Sequence, residues 1–278
     1  LVELNASAKI SILVDSLEGV LALKSIGARI SNPLDVLLKV NTGLNRCGVE
    51  PGSEKGVEII RTVLQYPFLK FKGLLTHAGH VYGAASKEEV KKIGREEGEI
   101  LVDYAEHLRN QDIRVEEVSV GATPTVYHSA FVPGVTEIRP GNYVFFDAMQ
   151  IFLGVVPIEK CSLSILSTVI SRPVPNRIII DAGSKALGLD KGAHGTGLLE
   201  GYGIITDLES RKKIPGLVLT RLSEEHGIIE APRDNPLKLG DIIRIIPNHA
   251  CSAINMYSHS LVLENGKITD RWELAARR

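Results

Sequence analysis

The first half of the chain alternates short apolar runs with longer amphipathic stretches, and this alternation constrains the fold most. Runs rich in β-branched residues predict strands at residues 10–14, 35–41, 71–77, 117–121 and 137–144. Apolar side chains at helical spacing predict helices at residues 17–26, 54–66 and 87–109. Strand–helix alternation is typical of βα units that build a parallel sheet. We therefore predict an α/β domain at residues 1–147.

The pattern changes after Asp147. Short runs with strand character, separated by proline and glycine, occur at residues 177–180, 216–220, 242–246 and 260–263. No long helical period interrupts them, so residues 148–278 are predicted to form an all-β domain. The fold class expected from the sequence is α/β plus all-β, with part of a TIM-type βα barrel followed by a C-terminal β-domain.

The number of βα units sets a further expectation. A closed βα barrel has eight strands, and each unit takes roughly 30 residues, so five units leave about 90 residues unaccounted for. The chain also begins with Leu1 instead of Met. We expect it to be a piece of a longer protein, and an open five-stranded sheet is the alternative.

Composition excludes several classes of partner. The 278 residues are 44% hydrophobic and 23% charged, which suffices for a large core. A formal net charge of -1 gives no electrostatic footprint for nucleic acid or an anionic membrane surface. No apolar run approaches the ~20 residues that span a bilayer. Three cysteines are too few for a disulfide framework and favour a reducing compartment, so we expect a cytoplasmic protein.

Basic and small polar residues follow three of the predicted strands. Lys39 and Arg46 flank a glycine turn at a strand end, where α/β proteins bind ligands. Two interpretations are open: a site for an anionic or phenolate-bearing ligand, and a surface turn with solvated charges. Residues 119–125 follow a later strand and offer hydroxyl groups, backbone N–H groups and a glycine, as a phosphate cradle does. Residues 139–143 come one strand later, and adjacent strand ends would bring both segments to the same phosphate.

A possible metal pair lies near the C-terminus. His249 and Cys251 follow the strand predicted at residues 242–246, and they would share one side if the extended conformation continues. Imidazole and thiolate are typical zinc ligands, and an open site needs fewer protein ligands than a structural one. An incidental buried cysteine is the alternative, because complete metal motifs normally show three or four ligands.

Three segments together resemble the alanine-racemase-like barrel of pyridoxal-phosphate enzymes: residues 38–48, 73–80 and 138–143. The resemblance implies that the barrel holds pyridoxal 5'-phosphate at its carboxyl-end face and that the β-domain completes the site. It implies that Arg46 contacts the cofactor's phenolic oxygen, that Lys39 supports it and that His77 packs against the pyridine ring. A purely structural role for His77 stays open, and His80 is expected to support the site without taking part in catalysis. The remaining cofactor-binding residues implied are Ser119, Gly121, Thr123, Arg139, Gly141, Asn142 and Tyr143, with Arg139 matching the arginine that contacts the ring nitrogen in alanine racemases.

Within this fold, His249 and Cys251 resemble the metal pair of the D-serine dehydratase and D-threonine aldolase group. Residues 181–187 also resemble that group's β-domain, although a tight turn would explain them equally. The resemblance implies a lyase that uses pyridoxal phosphate and a divalent metal, most simply zinc, on D-3-hydroxy amino acids, and that works as a homodimer. Dehydratase and aldolase both stay open. A racemase is the second hypothesis, because no segment matches the catalytic tyrosine of alanine racemases.

The Schiff-base lysine of this family lies at the end of the first barrel strand, which the resemblance places upstream of Leu1. Lys39 matches another role, and Lys185 belongs to the β-domain. We therefore assign no catalytic residue and expect that the chain as given forms no internal Schiff base. A non-catalytic cofactor-binding remnant is the third hypothesis.

Overall fold

The computed structural model describes residues 1–275. It divides into two compact units, one from Leu1 to Gly141 and the other from Asn142 onward. This division lies close to the domain boundary predicted after Asp147, which stays a prediction.

The first unit contains a five-stranded parallel sheet whose strands follow chain order. The strands are β1 (Ser11–Val14), β2 (Leu34–Lys39), β3 (Leu69–Leu75), β4 (Glu117–Val120) and β5 (Glu137–Ile138). Parallel strands in sequence order are the arrangement of a TIM-type barrel, as predicted. Their carboxyl ends meet at one edge of the sheet.

The fifth predicted strand is too long. Strand β5 ends at Ile138, whereas the prediction extended it to Val144. Pro140 has no N–H group to donate to a neighbouring strand, and residues Asn142–Val144 form a 3₁₀ turn instead. The other four predicted strands are present, with ends that differ by one or two residues.

Helices alternate with these strands. They are α1 (Val2–Ser7), α2 (Leu17–Lys24), α3 (Glu54–Leu64), α4 (Lys87–Arg109) and α5 (Val126–Ser129). Three of them begin at a serine whose hydroxyl accepts a backbone N–H in the first turn, namely Ser16, Ser53 and Ser86. Helix α4 has the ends that the sequence predicts. Within residues 1–275, no helix is both long enough and apolar enough to cross a membrane.

The core of the first unit surrounds strand β2, whose six residues are all buried. Leu34 and Leu38 of this strand pack with Leu74 of β3, with Ile59 of α3 and with Leu101 of α4. Burial on both faces is expected of a parallel strand that lies under helices. The sheet is thus a rigid platform for the loops at its carboxyl edge.

The second unit is mainly β, as predicted. Its strands are β6 (Ile165–Val174), β7 (Arg177–Ile180), β8 (Ile204–Asp207), β9 (Val218–Leu222), β10 (Gly227–Glu230), β11 (Ile242–Ile246), β12 (His259–Glu264) and β13 (Lys267–Glu273). Six of them form an antiparallel sheet in the order β8-β11-β6-β7-β10-β9, and β12 pairs with β13 in a separate hairpin. Ile178, Ile205 and Leu219 lie fully buried in its core.

The described part of this unit also contains three short α-helices that the sequence analysis does not predict. They are α6 (Ala148–Phe152), α7 (Ser184–Leu187) and α8 (Ala250–Ile254). Near α7, Asp181 accepts hydrogen bonds from the Ser167 hydroxyl (2.7 Å) and the Thr168 N–H (2.8 Å). The Lys185 amine donates to Glu225 at the surface, 2.7 Å away. Neither side chain caps helix α7, so both interpretations of residues 181–187 stay predictions.

Candidate active site

A cavity of about 380 Å³ opens at the carboxyl ends of strands β1 to β3. Its lining residues are Leu13, Val14, Asp15, Lys39, Arg46, Cys47, Leu75, His77 and Arg139. Lys39, Arg46 and Arg139 supply three basic groups, and Asp15 is the single acidic residue in the described lining. The structure thus brings together three predicted site residues, Arg46, His77 and Arg139, in a predominantly cationic pocket.

The loop that carries Arg46 is held by its own backbone and by Asn41. The Asn41 carboxamide oxygen accepts the N–H groups of Gly43 (3.2 Å) and Asn45 (3.0 Å), and its nitrogen donates to Glu50 (2.9 Å). At the end of the loop, the Gly48 N–H donates to Asp15 (2.9 Å). A Cβ atom on Gly48 would lie only 2.8 Å from the Asn41 nitrogen, so the loop closes tightly because this residue is glycine. Arg46 therefore projects from an ordered turn.

Lys39 ends strand β2 and is only 6% exposed. Burial lowers the pKa of its amine to about 8; the nearby Cys47 thiol opposes this shift, whereas Arg139 and Arg46 add to it. An amine with this pKa is partly neutral near pH 8, unlike a lysine in solvent. Its place beside Arg46 agrees with the supporting role that the resemblance implies.

We expect Lys39 to react with acetic anhydride at lower pH than surface lysines, because only the neutral amine is nucleophilic. Its labelling rate should reach half of its plateau near pH 8. Lys185 provides the reference, since its hydrogen bond to Glu225 raises the pKa of its amine. Peptide mass spectrometry between pH 6 and 11 measures both rates. Equal midpoints for the two lysines would contradict the lowered pKa of Lys39.

His77 follows strand β3 and faces the loop after β4. Its Nδ1 lies 2.6 Å from the Gly121 carbonyl oxygen. A carbonyl only accepts hydrogen bonds, so Nδ1 must carry the proton in this contact. The imidazole therefore has a fixed orientation at the cavity wall, which serves either the ring-packing or the structural role predicted for it.

Glu97 of helix α4 connects the loop after β3 with the loop after β4. One carboxylate oxygen accepts the N–H groups of Ala78 (3.1 Å) and Gly121 (3.0 Å), and the other accepts the Thr125 hydroxyl (2.8 Å). The residue is 1% exposed, and burial raises the pKa of its carboxyl while these hydrogen bonds and Arg139 oppose the shift. Gly121 is thus held through both its N–H and its carbonyl, by Glu97 and by His77.

Arg139 lies after strand β5 in a network of its own. Its Nε donates to the Ser119 hydroxyl (2.8 Å), and a terminal nitrogen donates to the Thr76 carbonyl. The Ser119 hydroxyl in turn donates to Glu137, whose carboxylate lies 3.7 Å from Arg139 Nε. Ser119 therefore orients Arg139, in addition to any role toward a phosphate.

The other predicted phosphate-binding residues lie outside the described cavity lining. Thr123 is buried, a Cβ atom added at Gly141 would meet open space, and Tyr143 is exposed. The Asn142 carboxamide donates to Asp147, 2.6 Å away, within the second unit. The assignment of these residues, and of Gly121, to phosphate binding stays a prediction.

Sequence reasoning missed Glu97 and Glu137. Glu97 had a detectable signal: it lies seven residues after Val90 and four before Leu101, on the buried stripe of α4. A carboxylate on an apolar stripe must find hydrogen-bond donors or neutralise. Glu137 had no comparable signal, because its partners Ser119 and Arg139 are set by strand pairing.

The predicted metal pair lies in the second unit. His249 Nδ1 lies 2.8 Å from an Asp190 carboxylate oxygen. A hydrogen bond with Cys251 raises the pKa of His249 to about 9; burial opposes this shift and Asp190 adds to it. The imidazole and the thiol are therefore neighbours, and their role as a metal pair stays a prediction. Within residues 1–275, no group of three or more His, Cys, Asp or Glu side chains is placed to hold a metal ion.

The predicted reason for this proximity is wrong. His249 is extended (φ −135°, ψ 105°) but forms the N-cap of α8, and Cys251 lies in the first turn of that helix. The buried Asp147 fixes the start of the helix by accepting the Ala250 N–H (2.9 Å). A helix start, and not a continued strand, brings the two side chains together.

Two family models match the chain. The model of the alanine racemase N-terminal domain matches residues 1–149, and that of the serine dehydratase domain matches residues 162–263. Together they cover both structural units.

Curated relatives align along most of the chain. A D-serine dehydratase from Dictyostelium discoideum is 30% identical over 92% of this chain and 69% of its own length. A D-threo-3-hydroxyaspartate dehydratase from Delftia sp. HT23 is 33% identical over 95% of this chain and 71% of its own length. A D-threonine aldolase from Arthrobacter is 28% identical over 97% of this chain and 68% of its own length.

The solved structure of the Delftia dehydratase superposes with a TM-score of 0.88 at 32% identity, over 96% of this chain and 73% of that one. Related solved structures include a histidine-to-alanine mutant and a cysteine-to-alanine mutant in the metal-free form. The two substituted positions lie two residues apart in that protein. His249 and Cys251 have the same spacing and residue types.

Proposed function

The chain belongs to the family of pyridoxal-phosphate-dependent enzymes in which an alanine racemase N-terminal domain precedes a serine dehydratase domain. From this premise, we propose that it is a metal-dependent lyase for D-3-hydroxy amino acids. The dehydratase and aldolase relatives support this function. The observation that carries it is the contact between His249 and Cys251, because an imidazole beside a thiol is a pair of ligands that suits a divalent metal.

We propose that the cavity of the first unit holds pyridoxal 5'-phosphate. Its three basic residues suit a cofactor with a phosphate and a phenolic oxygen. A Cβ atom on Gly121 would lie only 2.9 Å from the Arg139 backbone nitrogen, and this close approach suits a tight cradle. Arg46 would hold the phenolic oxygen, with Lys39 behind it, and His77 would lie against the ring. When bound, the cofactor supplies an electron-accepting ring that stabilises negative charge at the substrate's Cα.

We propose that His249 and Cys251 hold a divalent cation, most simply zinc. Imidazole nitrogen and thiolate sulfur are ligands that zinc prefers, and two protein ligands leave positions open, as a catalytic site requires. When bound, the ion supplies a Lewis acid for the substrate's 3-hydroxyl group. Cysteine at the second position tunes the metal, and it leaves both dehydratase and aldolase chemistry possible. The homodimer and the cytoplasmic location stay predictions.

Product analysis tests the proposed reaction. The full protein, supplied with pyridoxal phosphate and zinc, is incubated with D-serine, D-threonine or D-threo-3-hydroxyaspartate and with the L-enantiomers as controls. A dehydratase releases a keto acid and ammonia, and an aldolase releases an aldehyde or glyoxylate together with glycine. We expect one of these product sets from D-substrates only. Interconversion of enantiomers without either set would establish a racemase and overturn the lyase proposal.

A further inference from the structure

Asp190 makes a direct contact with the imidazole of His249 that no sequence motif predicts. One carboxylate oxygen, Oδ2, lies 2.8 Å from His249 Nδ1 and also accepts the Ser252 hydroxyl at 2.7 Å. The Asp190 carbonyl accepts the Asn248 carboxamide at 3.0 Å. Three neighbouring residues, 248, 249 and 252, thus hold the same aspartate.

The contact determines which imidazole nitrogen can bind a metal. A carboxylate oxygen accepts a hydrogen bond, so Nδ1 of His249 carries the proton that it shares with Asp190. In the neutral imidazole, Nε2 is then the nitrogen with the free electron pair. An imidazole that ligates a metal commonly donates its other N–H to a carboxylate, which fixes its orientation and increases its basicity.

We propose that Asp190 is a positioning residue for the metal ion: it fixes the tautomer and the orientation of His249 so that Nε2 faces the ion. This inference rests on the proposed function, in which His249 and Cys251 hold the metal. Asp190 acts through His249 and is not itself a ligand, because the described residues contain no group of three His, Cys, Asp or Glu side chains placed around one ion.

A purely structural role for the Asp190 side chain is the competing explanation, and the surrounding contacts separate the two. Asn248 donates to the Asp190 carbonyl and also to the Gly201 carbonyl (2.9 Å), so the backbone of this segment is anchored without the carboxylate. Asp190 is also 42% exposed, so its truncation leaves no buried cavity. Loss of the carboxylate should therefore affect His249 more than the fold.

The test measures zinc affinity by competition with a chromophoric chelator, using the full protein loaded with pyridoxal phosphate. Asp190→Ala is expected to weaken zinc binding by about 10- to 100-fold, the usual effect of removing such a partner. Asp190→Asn should lose less zinc affinity, because its amide oxygen still accepts the hydrogen bond from Nδ1. Some loss remains because the amide carries no charge. Asp207→Asn is the matched control: this carboxylate also accepts hydrogen bonds in the second unit, from Ser210, and should leave the affinity unchanged.

Two further measurements separate the possible failures. In ¹⁵N NMR spectra of the metal-free protein, recorded at a pH high enough to keep the imidazole neutral, wild-type His249 should show the Nδ1–H tautomer, and Asp190→Ala should lose that preference. His249→Ala reports on the metal site itself. If His249→Ala removes zinc binding but Asp190→Ala binds zinc like the wild type, the positioning role is wrong and the lyase proposal stands. If wild type and His249→Ala bind zinc equally, the metal site proposed for His249 and Cys251 is wrong.

Discussion

Chelation of divalent cations is expected to abolish lyase activity while the absorbance of bound pyridoxal phosphate stays in place. The residues proposed to hold the metal, His249 and Cys251, belong to the second unit, whereas the cofactor cavity is lined by residues of the first unit. Because the proposed metal ligands are not among the residues that line the cofactor cavity, we expect cofactor binding to persist when the ion is removed. Activity toward the preferred D-3-hydroxy amino acid and the cofactor spectrum are measured on the same sample, before and after EDTA and after readdition of zinc.

The same loss is expected from single substitutions of the metal pair. A Lewis acid contributes several kcal/mol to stabilising charge in a transition state, so His249→Ala and Cys251→Ala should each lower kcat/KM by on the order of 10³-fold. Cys161→Ala is the matched control. This thiol lies in the same unit, but burial raises its pKa to about 12, so it is a poor ligand and its loss should leave kcat/KM nearly unchanged.

Two outcomes would contradict the metal-dependent lyase. One is full activity after EDTA with no zinc left in the protein. The other is an equal effect of Cys161→Ala and Cys251→Ala, which would show that the thiols contribute to stability alone. A third result, the loss of cofactor absorbance together with the zinc, would show that cofactor binding depends on the ion.

Local signals in the sequence predicted most of the fold. Helical spacing in the sequence predicts both ends of helix α4, and the structure shows that Ser86 caps its start and that the helix runs for 23 residues. The buried strand β2 was recognised as a continuous apolar run. The sequence predicts the end of β5 too late because Tyr143 and Val144 have strand character, whereas the missing N–H of Pro140 stops pairing after Ile138.

The candidate site was predicted less completely, because its side chains are placed by contacts between distant residues. Arg46 and His77 could be found at strand ends, where ligands bind in such folds. Asp190 could not, because it reaches His249 across 59 residues of chain. Likewise, the spacing of His249 and Cys251 predicts that they share one side of an extended segment. In the structure the start of helix α8 brings them together instead.

Glu97→Ala is expected to destabilise the protein by about 2 to 5 kcal/mol. Truncation leaves the N–H groups of Ala78 and Gly121 without their acceptor in a buried place, whereas the Thr125 hydroxyl can turn to the Ala122 carbonyl, 3.1 Å away. Each buried donor that loses its partner costs roughly 1–3 kcal/mol. Denaturant unfolding at pH 7 measures the effect, and Glu99→Ala, on the exposed face of the same helix, is the control that should stay within about 0.5 kcal/mol of wild type.

Glu97→Gln should be far milder, for a geometric reason. The amide oxygen can accept both N–H groups, and the amide nitrogen can donate to Thr125, whose hydroxyl then donates to the Ala122 carbonyl, 3.1 Å away. All three donors keep a partner, so we expect a change of about 1 kcal/mol or less at pH 7. A loss as large as that of Glu97→Ala would show that the negative charge, and not the hydrogen bonds, joins the two loops.

The pH dependence of these variants has a definite sign. Burial raises the pKa of Glu97 in the folded protein, so ionisation of this carboxyl opposes folding. That opposition is absent below the unfolded-state pKa near 4.5, grows as the pH rises and is complete above the folded-state pKa. Wild type should therefore lose stability relative to Glu97→Gln as the pH rises from about 4.5, until the difference levels off. A difference that is constant from pH 4 to 8 would mean that Glu97 keeps its ordinary pKa in the fold, and that the three hydrogen bonds and Arg139 fully offset its burial.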